Sequence, residues 1–485
     1  MAEAGAIRPG ADLEPGTTVV DLELGRAWLV DPASGREGPG ELVVRDGTVE
    51  AVTWLEGDEA TGLDDQGVIV APGFIDLHVH LREPGNEDAE TVASGLRAAA
   101  HGGFTAVAAM PNTDPTLDEP SVLELLRSAA ARSGSPVRLL AHGAVTRGRA
   151  GEQLSAMGEL ADAGIVGFSD DGSPVASAAI LRHALAYAGA LGLPIVEHAE
   201  DPVQTKGAEA NEGLVATVLG LKGWPVAAEV SAVARDIAVL ESVLPDVPGA
   251  RLHLTHLSTT AALDLVRAAR ARGLPVSCDV TPHHLAMADE WVAGARRWAW
   301  EALDASGGAR DPWADGVLVA PAYDPACRVN PPLRSAVDAA AVMAALADGT
   351  ASAVATDHAP HTQVDKEVEF GWAANGIAGL ETAIGVLLAA VDAGRLSLAG
   401  AVAALTTGPA AVLGDRLGRQ VGLVEGAPAD LVVIDRAGSW AVDAASLASK
   451  GRNTPLLGRV LPGRVLLTVA GGRVAWADLD PDEAP

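Results

Sequence analysis

Two histidines, His78 and His80, close the apolar stretch Phe74-Ile75-Asp76-Leu77-His78-Val79-His80 at i, i+2 spacing. On a β-strand that spacing puts both imidazoles on one face, close enough to share one metal ion. A His-x-His pair alone is weak evidence, so its weight depends on whether other strands end in matching groups. They do. Phe168-Ser169-Asp170-Asp171-Gly172, Glu197-His198, Thr255-His256 and Thr356-Asp357-His358-Ala359-Pro360-His361 each follow an apolar run. Imidazoles and carboxylates gathered on one rim suit Zn²⁺ or a similar divalent ion, singly or as a pair bridged by a carboxylate. Such an ion acidifies bound water and polarises a carbonyl. Asp357 is placed to take the water's proton and deliver it to a leaving nitrogen. The chemistry expected is hydrolysis, or its reverse, at an amide-like carbon. Each residue also has a plainer reading: an isolated His198 or His256 is more often a hydrogen-bonded core histidine, and Asp357 a helix cap.

The elements that must position these groups alternate strand and helix. Apolar strand-like runs lie at 74–80, 104–110, 137–142, 165–170, 194–198, 251–256, 275–280 and 351–357, with helical patterns such as 90–101 and 335–348 between them. Eight parallel-type strands with crossover helices predict a (β/α)₈ barrel whose active site lies at the strands' C-terminal ends. Short alternating runs at 18–22, 41–44 and 49–54 return as similar texture at 430–434, 464–469 and 472–476. They predict one small discontinuous β-sandwich domain built from both chain ends. The expected division is an unstructured tail 1–16, an N-terminal β-sandwich segment 17–70, the barrel 71–415, a C-terminal β-sandwich segment 416–477 and a tail 478–485. Residues 291–324 interrupt the barrel and carry Trp291, Trp298, Trp300 and Trp313. This insertion over the barrel mouth is expected to form a satellite core, a lid or a subunit contact.

Composition narrows the function classes. Aromatics are only 3% while hydrophobic residues reach 48%, so the core must be mainly Ala, Val and Leu. Lys and Arg total 34 against 64 Asp and Glu, a formal charge of -30, which disfavours nucleic acid and anionic membrane as partners. An anionic substrate therefore needs a local basic site. Two cysteines, Cys278 and Cys327, are too few for a disulfide scaffold or a thiolate zinc site. With no apolar leader and no run of 18 apolar residues, the expected location is the cytoplasm. No phosphate-binding glycine loop stands out.

Longer motifs surround these residues: Asp76-Leu77-His78-Val79-His80-Leu81-Arg82-Glu83-Pro84-Gly85, Met110-Pro111-Asn112-Thr113, Glu197-His198-Ala199-Glu200-Asp201 and Thr281-Pro282-His283-His284. Asn330-Pro331-Pro332-Leu333-Arg334, Ala355-Thr356-Asp357-His358-Ala359-Pro360-His361, Gly379-Leu380-Glu381-Thr382 and Lys450-Gly451-Arg452-Asn453-Thr454-Pro455 follow. Together they resemble the amidohydrolases, and within them dihydroorotases of the bacterial class I type, over residues 40–476. The resemblance implies a zinc-dependent cyclic amidohydrolase that interconverts N-carbamoyl-L-aspartate and (S)-dihydroorotate in pyrimidine synthesis. It implies His78, His80, His198 and His256 as ligands to one or two zinc ions, with Asp357 as metal-associated acid/base. Asp171, or failing that Asp170, takes the place of the carboxylated lysine that bridges two metals in relatives. Arg82, Asn112, Asn330 and His361 are expected to grip the substrate, with His80, Asn375 and Gly376 bordering it. The guanidinium of Arg82 offers a planar fork for a carboxylate. His283 and His284 are expected to support the site or to be structural, while His101, His142, His183 and His253 are structural and Cys278 is a small buried hydrophobe. A homo-oligomer is expected, and association with aspartate transcarbamoylase is compatible with activity.

Two features depart from that pattern: the Trp-rich insertion, and Ala374-Asn375-Gly376 where relatives carry an apolar residue. Hydantoinases and allantoinases share the barrel and histidines but use a lysine soon after a Phe; here Phe168 is followed by Ser169-Asp170-Asp171. A non-catalytic scaffold subunit is the other alternative, and such proteins have typically lost ligand histidines that this chain keeps.

Overall fold

In the computed structural model, which describes residues 7–9 and 19–479, eight parallel strands form the central sheet. They are β1 (Phe74–Val79), β2 (Phe104–Ala109), β3 (Arg138–Gly143) and β4 (Gly167–Phe168), then β5 (Ile195–Glu197), β6 (Leu252–Leu254), β7 (Val276–Val280) and β8 (Ala353–Val354). Each pairs in parallel with the next in sequence. The ring closes where His80 N–H donates to His358 O at 2.8 Å and where Thr356 N–H and Oγ1 donate to the Asp76 carboxylate at 3.0 and 2.5 Å. The expected (β/α)₈ barrel is present. All six residues of β1 and of β2 are buried, as a parallel strand covered on both faces requires.

Helices between the strands begin at side-chain caps. Thr91 caps Val92–His101, receiving Ser94 N–H at 3.1 Å while Ser94 Oγ receives Thr91 N–H. Ser335 caps Ala336–Ala347, its Oγ receiving Asp338 N–H at 3.2 Å. Phe74, Phe104 and Phe168 join Leu, Val and Ala side chains of these helices in the main core, with Phe74 and Phe104 edge to face at 5.8 Å. Inside the barrel a smaller cluster holds Ile75, Leu77, Ala106, Ala108, Val166 and Ala353. The helical run Leu398–Leu417 is long and apolar enough by length and composition to cross a membrane. It breaks at Thr406, and Leu398, Val402, Leu405, Val412 and Leu413 are buried within the fold.

The second unit joins both chain ends in one hydrogen-bonded sheet. Its order is Arg473–Ala477, Val460–Ala470, Leu431–Ala441, Val68–Pro72, Leu22–Asp31, Arg36–Arg45 and Thr48–Trp54. The seam is antiparallel pairing of Val68–Pro72 with residues 431–435. Leu22, Leu29, Leu42, Val70, Leu431, Leu467 and Val469 form its own core. Within the expected N-terminal tail, Ile7–Pro9 pairs antiparallel with residues 22–24; the rest of that tail lies outside the described residues. Of the expected C-terminal tail, Asp478 accepts from Arg464 Nε at 2.8 Å, and residues 480–485 lie outside the described residues.

The Trp-rich insertion packs as a satellite core. Trp291 is fully buried and donates from Nε1 to Arg297 O at 2.7 Å. Trp298 stacks on Trp300 at 5.3 Å beneath the Arg459 guanidinium, 3.5 Å from the Trp298 ring centroid. Phe370, Val442, Leu456 and Leu461 complete this cluster, so the tryptophans tie the insertion to the chain's later segments.

Candidate metal centre and substrate cleft

The strand ends bring the expected ligands together: the strands stop before His80, Asp171, His198, His256 and Asp357, while His78 sits within the last residues of β1. The expected run 165–170 contracts to Gly167–Phe168, and 351–357 contracts to Ala353–Val354, leaving Asp171 and Asp357 beyond the pairing. In β1 the register against β2 shifts between Asp76 and Val79, and Asp76 Oδ1 receives His78 N–H at 3.1 Å. Arg82, His256 and Asp357 have φ of 61°, 41° and 47°. Such backbone is unfavourable for non-glycine residues and persists where surrounding contacts hold it.

Asp171 occupies the centre. Its Oδ2 lies 3.1 Å from His78 Nε2 and 3.5 Å from His80 Nε2; its Oδ1 lies 3.3 Å from His256 Nε2 and 3.4 Å from His198 Nδ1. Asp357 Oδ1 lies 3.3 Å from His78 Nε2 and 3.2 Å from His80 Nε2. Two triads, His78–His80–Asp171 and Asp171–His198–His256, therefore share one carboxylate, with all donor atoms in each within 4.8 Å of one another. Asp170 turns away: its carboxylate receives Thr146 N–H at 3.0 Å and the Thr146 hydroxyl. Of the two adjacent aspartates, Asp171 is the one facing the histidines.

The donor set fits a divalent cation. Burial disfavours charge on these imidazoles, yet Asp171 and Asp357 lift His78 to about 9, while Asp171 and Glu200 lift His198 to about 10. Burial likewise raises both carboxylic acids, but His78 and its neighbouring imidazoles reverse this and hold Asp171 and Asp357 ionised well below the usual range. Buried carboxylates surrounded by imidazole nitrogens demand positive charge, which a borderline metal ion supplies without protonating the ligands. Further hydrogen bonds orient the rings. His78 Nδ1 meets Thr255 Oγ1 at 2.8 Å, and Thr255 Oγ1 donates to Asp279, whose Oδ1 also receives His256 N–H at 2.7 Å. His80 Nδ1 meets Asn112 Oδ1 at 2.8 Å, and His198 Nε2 meets Glu200 Oε2 at 2.8 Å.

Above the cluster, a cleft of about 180 Å³ is lined by every expected substrate residue: His80, Arg82, Asn112, Asn330, His361, Asn375 and Gly376. Asp171, His198, His256 and Asp357 face the same space, while His78 lies fully buried beside it. Arg82 Nε donates to Pro360 O at 3.0 Å and its Nη2 lies 3.2 Å from His361 Nε2. Burial and the Arg82 charge push His361 down to about 3, so its ring is neutral. Asn330 Nδ2 donates to Glu200 Oε2 at 2.9 Å.

Most of the remaining histidines lie away from the two triads, in contacts of their own. His284 sits between Thr281 Oγ1 at 2.8 Å and Pro331 O at 3.0 Å, and buried His283 leaves Nε2 without a partner. His142 meets Leu77 O at 3.1 Å, His101 meets Glu381, and His183 is exposed. His253 is more than a core residue, for its Nε2 meets Asp279 at 2.8 Å and so belongs to the chain of contacts behind His78. Burial pushes the Cys278 thiol up to about 12, consistent with an inert apolar side chain. Sequence reasoning missed Asp279, Thr255 and Glu200 as orienting partners. For Glu200 the available signal was its i, i+2 spacing from His198.

The same family emerges from comparison with known proteins. The sequence model of a family described as Dihydro-orotase-like matches residues 67–262. A dihydroorotase of Anaeromyxobacter dehalogenans (strain 2CP-1 / ATCC BAA-258) is 48% identical over 458 residues, covering 94% of this chain and 97% of the relative. A dihydroorotase of Pelotomaculum thermopropionicum is 44% identical over 452 residues, covering 93% and 97%. Among solved structures, an L-hydantoinase (dihydropyrimidinase) from Arthrobacter aurescens superposes with a TM-score of 0.73 at 25% identity, covering 93% of this chain and 95% of that one. A D-hydantoinase shares the fold with a TM-score of 0.71 at 21% identity, covering 93% and 94%. With such identity sustained over nearly the full length of its relatives, the chain belongs to the dihydroorotase family.

Proposed function

We propose that this chain catalyses the reversible cyclisation of N-carbamoyl-L-aspartate to (S)-dihydroorotate and water, a step of de novo pyrimidine synthesis. The observation that carries this reading is the junction of the four-histidine, Asp171 cluster with a cleft holding Arg82, three asparagines and a neutral histidine. We assign zinc, as one ion or two, to His78, His80, Asp171, His198 and His256, with Asp357 beside it. When bound, the cation supplies Lewis acidity and acidified water at the mouth of the barrel.

The chain's own groups do the rest. Arg82, with Asn112, Asn330 and His361, holds the substrate carboxylate and ring through directed donors, and Asn375 and Gly376 close the side. In ring opening, Asp357 takes the proton of the water that adds to the ring amide carbonyl, and passes it to the ring nitrogen as the carbon–nitrogen bond breaks. In ring closure, the reacting carboxyl group enters in its acid form; Asp357 takes a proton from the attacking ureido nitrogen and gives it to the departing hydroxyl, which leaves as water. The nearby imidazoles hold the Asp357 carboxylate ionised, the form that can accept a proton.

The test is turnover of dihydroorotate, hydantoin and allantoin by protein of measured metal content. Dihydroorotate should be opened and the other two left largely intact; turnover of hydantoin without dihydroorotate would reverse the assignment. The cytoplasmic location, a homo-oligomer and association with aspartate transcarbamoylase belong to the same reading. Light scattering of the protein alone and mixed with that transcarbamoylase tests the last two.

A further inference from the structure

Lys366 ends the short helix Gln363–Lys366, and its side chain is buried, 5% exposed. Its ammonium donates to Arg328 O at 3.1 Å, Ala374 O at 2.8 Å and Gly376 O at 3.1 Å, satisfying three donors with backbone carbonyls. These carbonyls come from two segments. Arg328 stands two residues before Asn330, while Ala374 and Gly376 flank Asn375. Arg328 O also receives Gly376 N–H at 3.0 Å, so the two segments meet at this point.

Across the cleft wall, Asn375 O contacts His361 Nε2 at 2.8 Å, and Gly376 packs so closely that a Cβ there would lie 2.6 Å from Ala359 O. Any shift of residues 374–376 is therefore passed to the His361 and Asn330 sides of the substrate space. A buried ammonium is an expensive way to fill space, because burial disfavours its charged form. An apolar side chain would serve packing alone. The loop has a second, independent anchor: Asn453 Nδ2 donates to Ala359 O at 3.0 Å and to Gly376 O at 2.9 Å. Loss of Lys366 should thus loosen the loop without unfolding the barrel.

We propose that Lys366 is a positioning residue for the substrate, its ammonium stapling the 374–376 loop to the segment that carries Asn330. The inference rests on reading the cleft as the dihydroorotate site. It predicts a defect in substrate binding, because Lys366 touches neither the metal ligands nor Asp357. In Lys366→Met, hydrogen exchange should quicken at the amides of residues 374–378. KM for dihydroorotate should rise on the order of tenfold, with kcat within about threefold of wild type and the metal content unchanged. Lys366→Arg, which keeps the cation, should recover most of the KM. Should the methionine variant fail to fold, Lys366→Gln, retaining two N–H donors, should fall between the two. Unchanged loop exchange, an unchanged KM, or a loss confined to kcat overturns the proposal. If wild type does not open dihydroorotate at all, the functional reading falls, while the exchange measurement still decides whether Lys366 staples the loop.

Discussion

Asp171 offers one oxygen to the His78–His80 pair and the other to His198 and His256, an arrangement that a neutral amide cannot reproduce. Asp171→Asn is expected to lose metal, with occupancy by elemental analysis falling at least tenfold at limiting zinc. Asp170→Asn, whose site is a hydrogen bond to Thr146, should keep its metal; equal loss in both variants would remove the distinction between these neighbours. Asp357 stands in a different position, beside the imidazoles but outside both triads. Asp357→Asn should retain metal while kcat falls by about 10²–10⁴-fold, the range of a lost general acid–base group. Residual activity near wild type would assign the proton transfer elsewhere.

Among the elements, the helix Val226–Val243 carries a buried acid that makes stability depend on pH. Burial raises Asp236 to about 7 despite its bonds to Arg235, and burial together with Asp236 raises Glu197 well above the carboxylate range. Each leaves one carboxyl oxygen, Oδ2 and Oε2, without a partner. With a native pKa above the unfolded value, the folded state binds more protons between about pH 4 and 7, so stability falls as pH rises through that window. Asp236→Asn should flatten the fall, seen as a smaller difference between urea midpoints at pH 5 and pH 8. An undiminished difference would place the titrating group elsewhere. The tryptophan insertion makes a separate expectation. Trp291→Ala empties a fully buried site and should lower stability by about 3–5 kcal/mol, with KM and kcat little changed at temperatures where the variant stays folded. A lid role would instead show as a large KM change at unaltered stability.

At the scale of the molecule, the proposed metal ligands come from β1 and from the ends of β4, β5 and β6, so a cation held there would cross-link half the barrel's ring. A ligand that binds only the folded state stabilises by about 2.7 kcal/mol at a hundredfold excess over Kd. Chelation should therefore abolish turnover and also lower the melting temperature by several degrees, both restored by zinc. A melting temperature indifferent to chelator would mean that the barrel needs no ion to hold those strand ends. The two chain ends are joined at the same scale, since residues 431–435 pair with Val68–Pro72 immediately before β1.

Much of this was legible in the chain because buried parallel strands read as apolar runs and chemistry sits where those runs stop. The helix rhythm, the discontinuous β unit, the four histidines and Asp357 follow from such local pattern, whereas Arg82 was reached through the family resemblance. The Asp170–Asp171 choice does not, because adjacent residues differ only in which way the chain turns after β4, and that is set by Thr146 and Ser169. Asp279 and Thr255 were equally hidden, as their value lies in reaching His78 and His256 across strands. Lys366 looked like an ordinary charged residue until folding buried it against three carbonyls. Residue type and periodicity alone thus determined which groups are present and which strand end bears each. Only the closed barrel decided which atoms face one another, because contacts between residues up to 280 positions apart exist only once the ring has shut.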